Sequence, residues 1–597
     1  MRSNSIILIL VFGILCGIRS YAQEVKLEPI IVTGTKIPQE FNKLPRKITI
    51  IDSAQIERIK PGSLNEVLNL IAGADMQERG QNGIQADITM RGSTFQQVLV
   101  LVDGVRVSDP QTSHNIMSLP ITLGSVEKVE VLHGQGSSLY GPDAFAGAVN
   151  IITKKPKNAA EAKLNYGSYG TWDGSVSFGR KYKALGGYFS VEGKKSDGFS
   201  YDRDFNVFNL YLNSSLDLDW GEVGFTYGFS NKEFGAYDFY SPFMNKPSRE
   251  WTKTDLVNVQ FTTDIKGIIL QNKTYSRSHE DTFMYDLRTP NLFVNHHVNR
   301  LCGNDFQIRL KNLVLGNEVI VESIKSSNIG DHLNYRVGLY GEYSCIPLGF
   351  FNFNIGLRGD YHSVYGFEWA PSLNASYRIL SNLRLYSSIG RAFRAPSFTE
   401  LYYTSPSSKG DPDLKAETNW SYEAGLNWTP KNWVSASLAF FLRDEANAID
   451  WVKGDQPGNS QTYFAQNIGQ LVMRGIEAEA NFLLKPVNLS LGYSYINSQS
   501  TTSQSYISKY ALRYPEHQAT IKITHPLLLG INQSWAGIFK QRPAEAGYFL
   551  LSSAIFRKIG NIDIFVKGTN LLNTQYQEVL GVAGPGTWIW SGLNWGI

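Results

Sequence analysis

The sequence predicts an all-β transmembrane barrel that follows a smaller domain of mixed α and β structure. Residues 158–597 alternate apolar with small polar side chains, a pattern typical of strands with lipid on one face and a wet lumen on the other. The chain of 597 residues is 13 % aromatic but only 18 % charged, as such a barrel requires. Residues 41–157 instead contain short Val-, Ile- and Leu-rich runs that end at Gly- or Pro-bearing turns.

Composition excludes several other classes of protein. The net charge of +3 is too small to indicate nucleic-acid binding. Three cysteines in the whole chain exclude a disulfide scaffold and a thiolate zinc cluster.

The N-terminus predicts a secretory signal peptide over residues 1–22. Met1 and Arg2 precede the apolar run of residues 6–14, and a small-residue cleavage site ends at Ala22. The run is shorter than the roughly 20 residues that span a bilayer, which argues against a membrane anchor. Cys16 suggests a lipoprotein signal, but Leu15 before it does not fit the small residue that lipidation requires.

Residues 23–40 contain a β-prone heptapeptide made of Glu28, Pro29, Ile30, Ile31, Val32, Thr33 and Gly34. Taken alone, it would be read as an ordinary edge strand.

The sequence of residues 41–157 predicts short strands at 47–51, 97–102, 126–132 and 148–153. It also predicts helices between the strands at 47–51 and 97–102. Asp52 with Gln55, and Ser63 with Glu66, have the spacing of a capping box. Leu64, Val67, Leu68 and Ile71 form one apolar helical stripe, which we interpret as core.

Four pieces occur in order within residues 87–153, namely RGS, VLVLVDGVRV, VEKVEVLHG and SSLYGPDAFAGAVNIIT. This order resembles the plug domain of TonB-dependent outer-membrane receptors. The resemblance implies a plug inside the lumen of a 22-stranded barrel in the outer membrane of a Gram-negative bacterium. About 440 residues, at roughly 10 per crossing strand, accommodate that number. It also implies that residues 28–34 are a TonB box, which pairs as an added strand with the periplasmic protein TonB.

Motifs within the barrel are similar to those of the same family. They are GRAFRAPSFTELY at 390–402, GDPDLKAE at 410–417, RGIEAE at 474–479 and NLLNTQY at 570–576. The last strand, 587–597, departs from the family because it ends in Ile597 where an aromatic residue is usual.

The resemblance assigns a ligand-binding role to the apical loops of the plug. The polar residues at these positions are Gln81, Asn82, Asp109, Gln111, Thr112, Ser113, His114 and Asn115. It also assigns plug–barrel coupling to Arg91 and His133, with Glu417 and Glu477 as barrel partners. His133 stands where the family more often has arginine, so we expect a second contact that is weaker or pH-sensitive.

Two further kinds of site were weighed. Asp197, Asp202, Asp204 and Asp238 lie in predicted outer loops and could bind Ca²⁺ as hard oxygen ligands, although solvated loop acids are the plainer interpretation. Ser137 and Ser138 near His133 suggest a nucleophile with its base, but no nucleophile elbow surrounds them. We therefore predict no enzyme and no cofactor beyond that calcium.

The ligand prediction depends on charge. Ferric siderophores are commonly anionic and require clustered Arg or Lys. The loops at 456–462 and 498–505 contain none and are rich in Gln, Ser and Thr. Together with a plug that resembles that of the family's cobalamin transporter, this favours cobalamin or a related corrinoid. A ferric siderophore or haem receptor is the alternative within the family, and a passive porin-like or adhesive barrel is the alternative of another class. The resemblance also leaves open a surface lipoprotein partner.

The cysteines test the predicted register. Cys302 is expected near the outer end of a descending strand and Cys345 beside a periplasmic turn, so that no disulfide joins them.

Overall fold

The structure is a computed structural model that describes residues 34–37, 39–40, 44–240, 243–346, 349–454, 462–501 and 506–597. The predicted signal peptide and residues 28–33 of the heptapeptide lie outside this range. No helix of the described residues is long and apolar enough to cross a membrane.

The N-terminal domain is built on a five-stranded sheet of order β1-β6-β7-β4-β5, in which only β4 and β7 are parallel. Its strands are β1 Ile48–Asp52, β4 Val98–Val102, β5 Val105–Arg106, β6 Val126–His133 and β7 Gly147–Thr153. A separate hairpin is formed by β2 Ala74–Gly80 and β3 Gln85–Met90. The helices are α1 Ser53–Ile59, α2 Leu64–Leu68 and α3 Ser137–Tyr140, with 3-10 turns at Phe95–Gln97 and Leu123–Ser125.

The predicted helix starts are partly confirmed. Asp52 and Gln55 form the expected reciprocal capping box at the start of α1. Ser63 occupies the N-cap position of α2 but makes no capping hydrogen bond, and Glu66 accepts the N–H of Gly62 instead. The helix ends at Leu68, so Ile71 reaches the same core from the segment after it.

Twenty-two antiparallel strands close a barrel in which β34 pairs with β8, which confirms the predicted fold class. They are β8 Ala159–Gly167, β9 Thr171–Tyr182, β10 Leu185–Ser196, β11 Phe205–Leu218, β12 Gly221–Gly235, β13 Arg249–Ile265, β14 Ile268–Met284, β15 Val294–Leu310, β16 Leu313–Ser326, β17 Gly330–Cys345, β18 Phe351–His362, β19 Gly366–Leu380, β20 Leu383–Arg394, β23 Glu417–Lys431, β24 Val434–Ala446, β27 Gln470–Leu484, β28 Val487–Thr501, β30 His517–Pro526, β31 Asn532–Gln541, β32 Tyr548–Ile559, β33 Ile562–Thr569 and β34 Trp588–Gly596.

Short turns lie at one end of the barrel and long loops at the other. The long loops carry helix α4 Phe398–Tyr402 and a second five-stranded sheet of order β21-β22-β26-β25-β29. Its strands are β21 Thr404–Ser405, β22 Ser408–Lys409, β25 Ile449–Gly454, β26 Tyr463–Asn467 and β29 Tyr506–Ser508. A 3-10 turn, Leu528–Gly530, joins β30 to β31 at the short-turn end.

The alternation of the sequence sorts side chains between the two faces of the barrel. In β18, Asn354 and Arg358 are buried, whereas Ile355 and Leu357 are more than half exposed on the outer face. The polar face is covered because the N-terminal domain fills the lumen. Inward-facing Tyr211 and Leu301 of the barrel belong to the same apolar cluster as the core of that domain.

The cysteine prediction is half right. Cys345 ends β17 beside a short turn as expected, but Cys302 lies in the middle of β15 rather than near the long-loop end. Cys302 is level with Val321 and, across β16, with Tyr335. Cys345 is ten residues further along β17, or roughly 33 Å at about 3.3 Å per residue. Both thiols are free.

Candidate functional site

A buried ionic contact between the N-terminal domain and the barrel is made by Arg91, in the turn after β3. Its guanidinium donates to both oxygens of Glu477 on β27, at 3.0 and 2.8 Å, and also to Glu423 on β23. Its carbon centre lies 4.5 Å from the ring centroid of Phe441. Arg91 is 3 % exposed, so this bidentate pair is fully shielded from solvent. Buried pairs of this kind favour one geometry more than they add net stability.

Lys47 makes the second contact at this place, and sequence reasoning missed it. Its ammonium lies 3.1 Å from Glu477 Oε2 and 3.1 Å from Glu479 Oε1. His133 Nδ1 is 3.3 Å from Glu477 Oε2, and its Nε2 is 3.0 Å from Thr49 Oγ1. The structure therefore brings His133 to the predicted glutamate. The signal that could have revealed Lys47 is the Glu-x-Glu spacing of 477 and 479, which places two carboxylates on one face of a strand.

Glu417 does not join this cluster. It accepts from Arg394 Nε at 2.7 Å, its neighbour on β20, and from Gln97 Nε2 of the N-terminal domain at 2.9 Å. Glu417 is six residues along β23 from Glu423, and it therefore sits roughly 20 Å from the Arg91 contact. It touches the plug through a neutral amide rather than through an arginine.

A second buried ionic contact lies nearer the long-loop end and was not foreseen. Asp75 on β2 accepts from Lys540 Nζ at 2.7 Å and from Arg542 Nη1 at 3.0 Å. The same two cations also bind Glu578 in the final long loop, at 3.0 and 2.8 Å. Burial opposes ionisation of Asp75, but the adjacent Arg542 and Lys540 hold its pKa well below its usual range. The N-terminal domain is thus joined to a long loop through a shared pair of cations.

Three of the predicted apical polar residues, Asp109, Gln111 and Asn115, make hydrogen bonds within the protein. Asp109 accepts the backbone N–H groups of Gln111 and Asn115, at 3.2 and 3.3 Å. Gln111 Oε1 accepts from Asn299 at 3.0 Å, and the carbonyl of Asn115 accepts from Arg277 at 3.1 Å. These contacts hold the loop against the barrel wall, which leaves Asp109, Gln111 and Asn115 buried.

The other predicted apical residues divide into two groups. Gln81 is 8 % exposed, and Asn82 is half-buried beside Gly62. Thr112, Ser113 and His114 are only partly covered. The partly accessible residues of the predicted apex are therefore Asn82 and the turn that carries Thr112, Ser113 and His114.

His114 belongs to an aromatic and basic group that we call the outer cluster, formed with Tyr510, Tyr463, Lys453 and Lys509. Tyr510 Oη lies 3.4 Å from His114 Nε2. The ammonium of Lys453 lies 5.0 Å from the Tyr463 ring centroid, and that of Lys509 lies 5.6 Å from the same ring. Lys509 is also 5.1 Å from the ring of Tyr510. The cluster combines two cations with three rings above the plug apex.

His114 is held between Asp87 and Phe95. Its Nδ1 faces Asp87 at 2.9 Å, and its ring stacks on Phe95 with centroids 4.1 Å apart. Burial lowers the pKa of His114 in spite of the Asp87 carboxylate. The positive charge of the outer cluster therefore comes from its lysines.

The loops that favoured a neutral ligand are bordered by these lysines. Residues 455–461 and 502–505 lie outside the described range, but Lys453 is in β25 and Lys509 directly follows β29. The pairing of β25 with β29 sets Lys453 opposite Ile507, two residues from Lys509, and the two ammonium groups lie 5.0 and 5.6 Å from the Tyr463 ring centroid. The argument from loop composition counted residues within the loops and did not include the lysines at their bases.

The predicted calcium site is not assembled. Asp204 pairs with Arg249 at 2.9 Å, and Asp238 accepts the backbone N–H groups of Asn245 and Lys246 at 3.3 and 2.8 Å. Within the described ranges, no group of three or more His, Cys, Asp or Glu side chains is arranged to hold a metal ion. Asp197 and Asp202 do not complete such a group. The plainer interpretation as loop acids agrees with this arrangement.

The serine pair does not form a nucleophilic site. Ser137 Oγ is 3.5 Å from the carbonyl of Ala144, while His133 faces Glu477 and Thr49. Ser138 packs in α3 against the barrel wall near Gly356.

Comparison with known proteins agrees with this architecture. Residues 153–574 match the family model described as TonB dependent receptor-like, beta-barrel, and residues 41–148 match the TonB-dependent Receptor Plug Domain. The siderophore receptor PirA from Pseudomonas aeruginosa is 19 % identical with a TM-score of 0.73, over 92 % of this chain and 99 % of that one. PirA from Acinetobacter baumannii is 15 % identical with a TM-score of 0.76, over 95 % and 100 %. A variant of the ferric enterobactin receptor PfeA from Pseudomonas aeruginosa, in complex with enterobactin, is 17 % identical with a TM-score of 0.75, over 93 % and 100 %.

Proposed function

Because the chain belongs to the TonB-dependent receptor family, we propose that it is an energy-coupled importer of a Gram-negative outer membrane and that its ligand is an anionic ferric siderophore. The family and the fold are those of receptors and transporters. In the outer membrane, the long loops of such a receptor face the outside of the cell and the short turns face the periplasm.

The outer cluster is the observation that carries the ligand class. Ferric siderophores present carboxylate, catecholate or hydroxamate oxygens around the iron and are commonly anionic. Two lysines beside three aromatic rings provide both charge complementarity and surfaces for stacking. The turn of Thr112, Ser113 and His114 lies at the base of the same cluster, so a ligand bound there touches both plug and loops.

The fold neighbours support the same ligand class. The PirA proteins are described as siderophore receptors, and PfeA as a ferric enterobactin receptor. Cobalamin, which loop composition favoured, is the alternative. It has lost its main support, since Gln111 and Asn115 are engaged by the barrel and lysines flank the loops.

Energy coupling requires a route from the periplasm to the plug. In this proposal TonB pairs with Glu28–Gly34 as an added strand and pulls on the segment ahead of β1. The contact of Arg91 and Lys47 with Glu477 holds the plug until that force acts.

The ligand class is tested by titrating purified receptor with ferric enterobactin, a ferric hydroxamate and cyanocobalamin, with tryptophan fluorescence as the readout. We expect saturable binding of at least one chelate, weakened by added salt because the cluster is cationic. Tight binding of cyanocobalamin with neither chelate bound would overturn the siderophore assignment and restore the corrinoid alternative.

The transport class is tested separately by deleting residues 28–34. We expect the receptor to assemble and bind ligand as before but to lose uptake, because these residues precede both domains. Undiminished uptake by the deletion strain would refute active import and favour a passive pore.

A further inference from the structure

The outer face of strand β14 is polar, although it faces away from the lumen. Its even-numbered residues point outwards, because the odd-numbered residues between them, such as Arg277 and His279, are buried inside the barrel. The outward side chains in the middle of the strand are those of Asn272, Thr274, Ser276 and Ser278. On the neighbouring strand β15, Cys302 and Asn304 also point outwards. We call these six residues the polar patch.

The polar patch lies at the level of the membrane. On both sides of it, β12 and β17 present apolar residues outwards in the same paired rows. They are Val223, Phe225, Tyr227 and Phe229 of β12, and Leu333, Tyr335, Val337 and Leu339 of β17. The outer face of a membrane barrel carries a continuous apolar band against the acyl chains. Because β14 lies between β12 and β17, this band crosses β14 at the polar patch.

Contacts within the patch use only part of its hydrogen-bonding capacity. Asn304 Nδ2 donates to Asn272 Oδ1 at 2.9 Å and to Thr274 Oγ1 at 2.8 Å. Ser276 Oγ lies 3.3 Å from Cys302 Sγ. Each amide has two donor hydrogens and an acceptor oxygen, and each hydroxyl both donates and accepts. Acyl chains offer no partner for the remaining groups, so the patch is better matched to a polar surface than to lipid.

Two opposite charges flank the patch. Asp255 of β13 and Arg300 of β15 lie in the same row as Ser278, one on each side of it. Both side chains are on the outer face of the barrel. Asp255 Oδ1 accepts from the hydroxyl of Tyr227 at 2.9 Å, so its partner on this face is a neutral group. The patch therefore carries one acid on its β13 side and one base on its β15 side.

We propose that a second copy of this chain covers the polar patch, so that the receptor forms a homodimer within the outer membrane. In a dimer with two-fold symmetry, the same surface of both copies meets. An axis along the membrane normal beside β14 sets β13 of each copy against β15 of the other. Asp255 of each copy then lies beside Arg300 of the second copy, and the two ion pairs form together.

The chemistry of the patch favours a second copy over another kind of partner. Ser, Thr and Asn side chains donate and accept equally well, so a surface made of them is complementary to itself. The flanking charges of Asp255 and Arg300 cancel, and they are arranged so that the rotated surface presents the opposite charge at each position. The inference goes beyond the proposed function and is independent of the ligand, because it requires only a barrel that lies in a bilayer.

Disulfide cross-linking tests whether β14 meets β14. In a background with Cys302→Ser and Cys345→Ser, Ser276→Cys places a thiol beside the proposed axis. The matched control is Val337→Cys on β17, which is also exposed on the outer face and is paired through β16 and β15 with the row of Thr274. Outer membranes are oxidised with copper phenanthroline, and linked peptides are identified by mass spectrometry.

We expect at least tenfold more linked dimer from Ser276→Cys than from Val337→Cys. Equal yields would show random collision in the membrane and would overturn the proposal. Linkage of Ser276→Cys only to a different protein would overturn the assignment of a second copy.

Charge reversal tests the predicted ion pairs without relying on a single variant. Asp255→Arg and Arg300→Asp are each expected to lower the dimer-to-monomer ratio at least tenfold, because each places like charges together at both contacts. Co-expression of the two variants with different affinity tags restores opposite charges at both contacts of the mixed pair. We therefore expect the mixed pair to co-purify within threefold of the level of two wild-type chains. Failure of the mixed pair to form, with both variants folded, would overturn the arrangement.

Replacement of the polar groups by apolar ones tests the patch itself. Thr274→Leu with Ser276→Leu suits acyl chains and removes two hydroxyl groups, so we expect a dimer-to-monomer ratio at least tenfold lower with the barrel still folded. The matched control, Ser387→Leu, changes an exposed hydroxyl on the outer face of β20 and should alter the ratio less than twofold. Equal effects of the two changes would refute a specific interface.

The results are distinguishable from those for the proposed function. A wild-type receptor that is monomeric in its native membrane, yet imports a ferric chelate, would refute the dimer and leave the proposed function standing. A wild-type dimer that binds neither chelate would support the dimer and refute the ligand class.

Discussion

Replacement of Arg91 by glutamine tests whether the buried contact holds the plug in the barrel. Arg91→Gln removes the guanidinium that binds Glu477 in bidentate fashion and also binds Glu423. Removing one partner of a buried ion pair costs about 3–5 kcal/mol, because the other charge is left unpaired. Glu477 retains Lys47 at 3.1 Å and His133 at 3.3 Å, so we expect the lower end, about 3 kcal/mol.

The lost stabilisation predicts that β3 detaches from the rest of the protein measurably more often. At about 1.4 kcal/mol per factor of ten, the population of states with β3 detached rises roughly 100-fold. Hydrogen exchange of the Gln85–Met90 amides in purified receptor measures it directly. A plug that is held less firmly also lets large solutes leak through the barrel. The sensitivity of cells to a large hydrophilic antibiotic measures this leak.

Arg443→Gln is the matched control. Arg443 is also buried in the lumen, at 3 % exposure, but it pairs with Glu445 on its own strand. We expect the control to leave exchange in β3 within threefold of the wild type. If Arg91→Gln changes exchange no more than Arg443→Gln does, the contact does not hold the plug and this reasoning is wrong.

Three further results are expected. Lys509→Ala should weaken binding of a ferric chelate about fivefold, on the order of 1 kcal/mol for one cation beside an aromatic ring, whereas Lys253→Ala on the exposed face of β13 should not. Burial raises the pKa of Asp450, in the outer sheet, to about 6. The folded sheet therefore binds this proton more tightly than the unfolded chain. Hydrogen exchange of β29 should be slowest near pH 4 and should quicken as the pH rises through about 6. Cys302 and Cys345 should both be alkylated without reduction in a mass spectrum.

Each of these has a result that contradicts it. Equal affinities for Lys509→Ala and wild type would remove the outer cluster from the ligand site. Exchange in β29 that does not change between pH 4 and pH 7, after correction for the intrinsic rate, would show that Asp450 titrates as an exposed carboxyl group does. A linked peptide containing both cysteines would refute the register of β15 to β17.

The sequence alone determined the strand pattern of the barrel and the start of the first helix, because that information is local or repeated. The two-residue alternation assigns each barrel residue to a face wherever the strand lies, and β18 shows Arg358 inside and Leu357 outside as the pattern predicts. The capping box of Asp52 and Gln55 is likewise local, because it depends on two residues that are three positions apart. The meeting of Arg91 with Glu477 was expected only through the resemblance to a family.

Only the tertiary structure decided which distant residues meet. Arg91 and Glu477 are separated by 386 positions. The Glu-x-Glu spacing of 477 and 479 indicates two carboxylates on one face of a strand, but it does not show that Lys47 is the cation that binds them. Likewise, Lys453 and Lys509 become neighbours because β25 pairs with β29. The physical reason is the closure of the barrel around the plug. It brings charges from separate strands into one low-dielectric space, where each must find a partner, and the sequence specifies the charges without specifying which ones will face each other.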